Sequence, residues 1–376
     1  MSGSFGLAAI IGPFLGGALT DRATWRWCFG INLPIGAITV VVCAIYVRIP
    51  SESAEISVST RTKLSQVDVP GTVFMVASLI CLLIALQWGG SAYSWSDSRI
   101  IALFVVFGVL AIAFIITQAT SITGAKRLIS SALARKRDIW LAVSYAMCVT
   151  GGVYVVVLYL PVWFHDTLGY SSLASGTLLT PLIASYVVSS IVAGVFTSAI
   201  GYYNPGMIIG TALAIAGATL LTTIDLKTSI ARIVGYQIVY GFGIGFGFGQ
   251  PSYVVQTVLP TVEVPIGVTL VTLFQNLSAS IFVAAAQSIF QGELRSRFGS
   301  LSPGSNASFL NSGAIELIYS LPSEAQQEAK EAYSKSLTLT FYISLALSAA
   351  SIVGALSIGW VSMKSSHNQV QREEES

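Results

Sequence analysis

Ten apolar stretches constrain this chain more than anything else in it, each about as long as the roughly 20 helical residues that cross a 30 Å hydrocarbon core. They run from Ser2 to Leu19, Cys28 to Val47, Val69 to Trp88, Ile100 to Thr120, Ile139 to Val162, Ser172 to Ile200, Pro205 to Thr223, Ile230 to Val258, Pro265 to Phe290 and Lys335 to Met363. Charged residues make up only 10% of the 376, against roughly a quarter in a soluble domain. The expected fold is therefore all-α and polytopic, with the lipid bilayer as its main solvent. A net charge of +2, with no basic run interleaved with aromatics, excludes nucleic acid as a partner. Cys28, Cys43, Cys81 and Cys148 stand singly, without metal or disulfide spacing, and read as packing residues. Met1 to Ala9 lacks the basic start of a signal peptide.

Basic residues set the orientation. Lys126, Arg127, Arg135, Lys136 and Arg137 crowd one loop, and Arg48, Arg61 and Lys63 another; both fall on one side when ten spans alternate, which makes that side cytoplasmic. The opposite side receives the tryptophan patch near Trp25, the Trp88 to Trp95 loop and the long loop 291–334. That loop carries Asn306-Ala307-Ser308, a glycosylation sequon where lumenal enzymes reach it. The expected organisation is residues 1–47 with two spans, a cytoplasmic loop 48–67, a central pair of spans in 68–120, a basic loop 121–138, a six-helix bundle 139–363, and a disordered cytoplasmic tail 364–376. Transporters are commonly built from repeated bundles around a central cavity. The six-span part reads as complete, and the leading pair as the remnant of a second bundle.

Two glycine patterns stand out. In the first span Gly12, Gly16 and Gly17 leave one flank bare and Pro13 bends the helix, so a neighbour can approach closely; the pattern serves either as a plain packing notch or as a seal between bundles. In Gly241-Phe-Gly-Ile-Gly-Phe-Gly-Phe-Gly249 the glycines recur every second residue, unlike a dinucleotide loop. On a helix this puts Gly241, Gly245 and Gly249 on one face and Gly243 and Gly247 on another, so two neighbours can pack tightly. Pro251 then opens the hydrogen-bond ladder.

Polar groups inside spans usually face a bundle interior or a cavity. Tyr145, Tyr154, Tyr159, Gln237, Tyr240, Gln250, Gln256, Gln275, Asn276 and Gln287 are of this kind. Each serves either as an interhelical hydrogen-bonding group or as cavity lining, and together they suggest an aromatic and polar cavity for bulky amphipathic molecules. No Asp or Glu falls firmly in mid-span by this reading. His165 and His367 form no catalytic or metal arrangement, so neither an enzyme, a cofactor nor a metal is expected.

Gly12-Pro13-x-x-Gly16-Gly17, followed by Trp25-Arg26-Trp27-x-Phe29-x-x-Asn32-x-Pro34-Ile35-Gly36, resembles motif C and its following loop in the fourteen-span drug:proton antiporter branch of the major facilitator superfamily. Fungal members are also similar at Leu86-Gln87-Trp88-Gly89-Gly90, at Gly201-Tyr202-Tyr203, from Gly241 through Gln250-Pro251 and Gln256, and at Pro265-Ile266-Gly267 and Phe274-Gln275-Asn276-Leu277. The resemblance implies that these are spans five to fourteen and that the first four are absent. It implies a seal at Gly12, Pro13, Gly16 and Gly17, with Trp25, Arg26, Trp27, Asn32 and Pro34 shaping an outer loop. Ser278 departs from the pattern, standing where members often carry glycine.

The functional expectation is a plasma-membrane exporter of small amphipathic drugs, toxins or secondary metabolites, driven by a proton gradient. Tyr145, Gln237, Tyr240, Gln250, Gln275 and Asn276 are its candidate cavity residues, and Gly241, Gly245, Gly249 and Pro251 its packing residues. A non-transporting remnant or mis-started gene model is the alternative, and an uptake carrier, for siderophores or other small molecules, a further one. Oligomeric state leaves no mark on the sequence.

Overall fold

The computed structural model describes residues 12, 15–20, 22, 24–46, 68–90, 92–119, 135–261, 263–301 and 323–363. Among them the chain is helical, with no strand beyond a single bridge between Gly89 and Tyr93. The helices are α1 (Trp27–Gly30), α2 (Asn32–Tyr46), α3 (Val69–Trp88), α4 (Ser98–Ala119), α5 (Arg137–Leu168), α6 (Ser172–Thr177), α7 (Thr180–Ile200), α8 (Asn204–Thr222), α9 (Ile230–Phe248), α10 (Gln250–Val258), α11 (Val264–Leu301) and α12 (Ser323–Ser357).

Eight described spans are long and apolar enough to cross a membrane. Two of the ten expected stretches are not among them, for different reasons. Most of Ser2 to Leu19 lies outside the described residues. Ile230 to Val258 is two helices, broken at Gly249 ahead of Pro251, and its glycines, tyrosines and glutamines dilute its apolar character. Fixed local chemistry sets the ends of several others. Asp68 Oδ1 accepts the Gly71 N–H at 2.9 Å and opens α3 with Pro70 in its first turn. Gly169 and Gly201 close α5 and α7 in the left-handed region, at φ 73° and 81°.

The buried apolar residues lie between Ile139 and Ile358, with Ala85 and Ile100 the exceptions. Helix α5 packs on α11 and α12, α8 on α9 and α12, and α9 is held between α7 and α8. The glycines of α9 permit the last arrangement. A Cβ on Gly241 or Gly245 would run into the backbone of Leu182 or Tyr186 in α7, and one on Gly243 into Ala214 in α8. One on Gly247 would strike the Tyr145 hydroxyl of α5. Gly249 belongs to neither contact; its Cβ would meet only the Tyr253 ring, at 4.0 Å.

Buried hydroxyls and amides fasten the bundle at both ends. At the Lys136 end, Tyr203 Oη donates to the Gly359 carbonyl at 2.6 Å and Asn204 Nδ2 to that of Ile358 at 3.0 Å. Lys136 Nζ donates to the Val258 carbonyl there at 2.8 Å. At the His165 end, Trp163 Nε1 donates to Ser334 Oγ at 2.9 Å and the Tyr333 hydroxyl donates to Asp166. Asp166 thus sits inside the last turn of α5 rather than in a loop, a half-buried carboxylate that sequence reasoning missed. Helices α3 and α4 pair separately, joined where Gln118 Nε2 donates to Asp68 Oδ2, and α3 meets α11 through Ser288 Oγ on the Gly89 carbonyl at 2.6 Å. Helix α2 has no buried residue. The four cysteines are unpaired and none is fully buried, Cys43 being exposed, so their expected role as packing residues does not extend to burial within the described chain.

Candidate functional site

Four spans enclose a cleft of about 470 Å³ near mid-bundle. Helix α5 supplies Thr150 and Tyr154, and α7 supplies Tyr186, Val187, Ser190, Ala193 and Gly194. The α9–α10 break supplies Gly245, Phe248, Gly249, Gln250, Ser252 and Tyr253, and α11 supplies Thr272, Gln275 and Asn276. The spacing on each helix explains the convergence, since residues three or four apart share a face. Thr150 and Tyr154 are four apart, as are Tyr186, Ser190 and Gly194, and Thr272, Gln275 and Asn276 fall within one turn.

The break at Gly249 shapes the cleft's floor. Pro251 has no N–H to donate and crowds the carbonyl four residues back, so α9 ends at Phe248 and α10 begins anew at Gln250. Gln250 is fully buried and bridges the gap: its Nε2 donates to the Phe246 carbonyl and to Thr197 Oγ1, both at 3.1 Å. Gln250 therefore borders the cleft with its amide already engaged. Asn276 Nδ2 likewise donates to the Thr272 carbonyl in its own helix at 3.0 Å. Thr150 differs from both. It is 3% exposed, and its Oγ1 has no hydrogen-bond partner among the described residues.

Of the candidate cavity residues read from the sequence, the structure brings Gln250, Gln275 and Asn276 together at the cleft, with Tyr154. Tyr145, Gln237 and Tyr240 lie away from its lining. Tyr145 donates to the Met207 carbonyl at 3.3 Å and receives Thr211 Oγ1 at 3.5 Å. The Tyr240 hydroxyl pairs with Ser344 Oγ at 2.7 Å, and Gln237 is fully buried with both amide atoms unpartnered among the described residues. The reason is angular: α9 borders the cleft only from Gly245 onward, and Gln237 and Tyr240 fall on its core-facing side with Ile233 and Ile244. Tyr159 is off the cleft, donating to Gln287 Oε1 at 2.7 Å, and Gln256 is exposed. Tyr186, Ser190, Phe248, Ser252, Tyr253, Thr150 and Thr272 line the cleft without having been singled out. Their three- and four-residue stripes were the available signal.

The glycine motif of the first span is partly described. A Cβ on Gly12 or Gly16 would meet nothing within 4 Å, whereas one on Gly17 would run into the backbone of Leu173, at the start of α6. Pro13 lies outside the described residues, as does Asn306. In the tryptophan patch the Arg26 guanidinium lies 5.0 Å from the Trp25 ring centroid, and Trp25 meets Phe29 edge to face. Asn32 Nδ2 reaches the Cys28 carbonyl at 3.5 Å, while Trp27 and Pro34 are exposed. Ser278, on α11, donates across to the Met147 carbonyl of α5 at 2.5 Å.

Comparison with known proteins places these features in context. Residues 1–283 match the profile of the Major Facilitator Superfamily. The thioclapurine efflux transporter tcpA of Claviceps purpurea is 39% identical over 364 residues, covering 96% of this chain and 67% of its own length. Efflux pump roqT of Penicillium rubens is 38% identical, covering 97% and 67%. The MFS-type efflux pump MFS1 of Trichophyton rubrum is 37% identical, covering 97% and 68%. The chain spans about two thirds of the length of these relatives, and 62% of another from Claviceps purpurea. Among solved structures, a bacterial homologue of the human lysosomal transporter Spinster aligns over 93% of this chain and 81% of its own, at 13% identity and a TM-score of 0.47.

Proposed function

The chain belongs to the major facilitator superfamily, and from that premise we propose that it exports small amphipathic molecules across the plasma membrane in exchange for protons, by alternating access. The cleft is the observation that carries this reading. It opens at mid-bundle between four spans, which is where substrate sites of such carriers lie, and it combines four aromatic rings with uncharged polar groups. Three of the relatives carry efflux in their names, which supports the direction. The seal role of Gly12, Pro13, Gly16 and Gly17 is part of the proposal, supported by the approach of Gly17 to Leu173. So are the cytoplasmic placement of the Lys136 end, the units 1–47, 68–120 and 139–363, and a glycan on Asn306.

The test is cellular accumulation of a radiolabelled toxic compound in yeast, with and without the chain. Export predicts lower accumulation that a protonophore restores. Higher accumulation would establish uptake instead, and unchanged accumulation across a panel of compounds would establish a chain that does not transport.

A further inference from the structure

We infer that the cleft takes cargo without net charge, an aromatic molecule whose neutral hydrogen-bonding groups meet Thr150 and Gln275. This deepens the export reading and rests on it.

Among the described residues, none of the sixteen lining the cleft is Asp, Glu, Lys, Arg or His. A charged cargo would leave water for a lining whose described residues hold no countercharge, and an unpaired ion pays a large desolvation penalty there. The rings of Tyr154, Tyr186, Phe248 and Tyr253 offer a cation only the weaker ring-face attraction in return, and they offer an anion less, since ring faces are electronegative. Desolvation therefore outweighs the attraction for either sign. A neutral ring avoids that cost and still stacks on the same faces.

Thr150 supplies the second, independent observation. A buried hydroxyl left without a partner is costly, and this one, unpartnered among the described residues, borders the cleft at 3% exposure. Its neighbours in the lining divide into those already engaged and those available. Gln250 is held by Phe246 and Thr197, and the Asn276 amide nitrogen by Thr272. Thr150 on α5 and Gln275 on α11 face the cleft from different helices, so one cargo molecule that reaches both spans the gap between them. A hydroxyl and a carboxamide each both donate and accept, and they match cargo carbonyls, hydroxyls and amides. A volume of about 470 Å³ suits a molecule of drug size.

Three probes on one scaffold test the charge rule: 7-methoxycoumarin, 7-methoxycoumarin-3-carboxylate and a trimethylammonium derivative of 7-methoxycoumarin. Their dissociation constants are measured by equilibrium dialysis on the full chain in lipid nanodiscs. The neutral probe is expected to bind at least tenfold more tightly than either ion. Thr150→Val keeps the side chain's shape and is expected to weaken the neutral probe about fivefold without lowering thermal stability, while Thr150→Ser restores binding; Gln275→Leu is expected to act in the same direction. A charged probe that binds as tightly as the neutral one overturns the charge rule, and unchanged affinity in Thr150→Val overturns the assignment of Thr150. Absence of binding by all three overturns the inference as a whole. If the same chain also moves nothing in the accumulation assay, the export reading falls with it, whereas export of charged compounds in preference to neutral ones overturns the charge rule alone.

Discussion

Tyr203 carries more of the Lys136 end than its place in a short connection suggests. Its hydroxyl donates to the Gly359 carbonyl at 2.6 Å. Burial, and then the nearby Asp138 charge, push its phenol up to about 12 from an ordinary 10. The protonated phenol is thus favoured in the folded state, so its contribution is present below pH 10 and lost as pH rises through about 12. Tyr203→Phe is expected to lower stability at pH 8 by roughly 0.5–1.5 kcal/mol, the worth of one hydrogen bond. The gap between variant and parent should close between pH 10 and 12, as read by thermal unfolding in nanodiscs across that range. Gly243 offers a steric counterpart. Gly243→Ala drives a methyl into the Ala214 backbone and is expected to cost roughly 1–3 kcal/mol. Gly235→Ala, in the same helix with nothing within 4 Å, should stabilise by about 0.5–1 kcal/mol. Thermal midpoints of the two variants moving in the same direction would refute this account of α9.

At the scale of elements, a buried polar joint ties α3 to α4. Asp68 is 3% exposed, opens α3 through the Gly71 N–H, and accepts from Gln118 at the end of α4. Gln118→Leu removes that donor from a buried carboxylate oxygen, and a loss of roughly 1–3 kcal/mol is expected, visible as a lower thermal midpoint. Asp68→Asn should cost less, because its amide oxygen still accepts from Gly71 and the Gln118 carboxamide, turned over, can accept from the new Nδ2. The α9–α10 break shows how far an element can be read in advance. Pro251 and the glycine string marked the place, because proline chemistry is local. Assigning each glycine to a partner required the packed neighbours, and Gly249 departed from its expected face because the helix had already ended at Phe248.

At the scale of the whole molecule, the orientation proposed from basic loops predicts opposite accessibility for two exposed positions, Arg135 and Lys227. With the four native cysteines replaced by alanine, Lys227→Cys is expected to react with a membrane-impermeant maleimide on intact cells. Arg135→Cys is expected to react only after permeabilisation; the reverse pattern would invert the assignment. Hydrophobic length and loop charge made the membrane class legible, because a bilayer imposes one requirement on every span, whatever its neighbours. The same scarcity of charge made the helical class legible without any contact being known. What surrounds each polar residue was not legible in this way, since rotation about a helix axis is set by packing against several partners at once.

The sequence by itself therefore determined that this chain crosses lipid repeatedly as helices, where the glycine-rich span breaks, and which family it resembles, for these follow from composition and local backbone chemistry. Tertiary structure alone decided that Gln250, Gln275 and Asn276 share a cleft with Thr150 and three tyrosines while Tyr145, Gln237 and Tyr240 face the core. All six cavity candidates are polar residues within spans, and only the rotation of each helix against its neighbours separates a residue that lines a cavity from one that fastens the bundle.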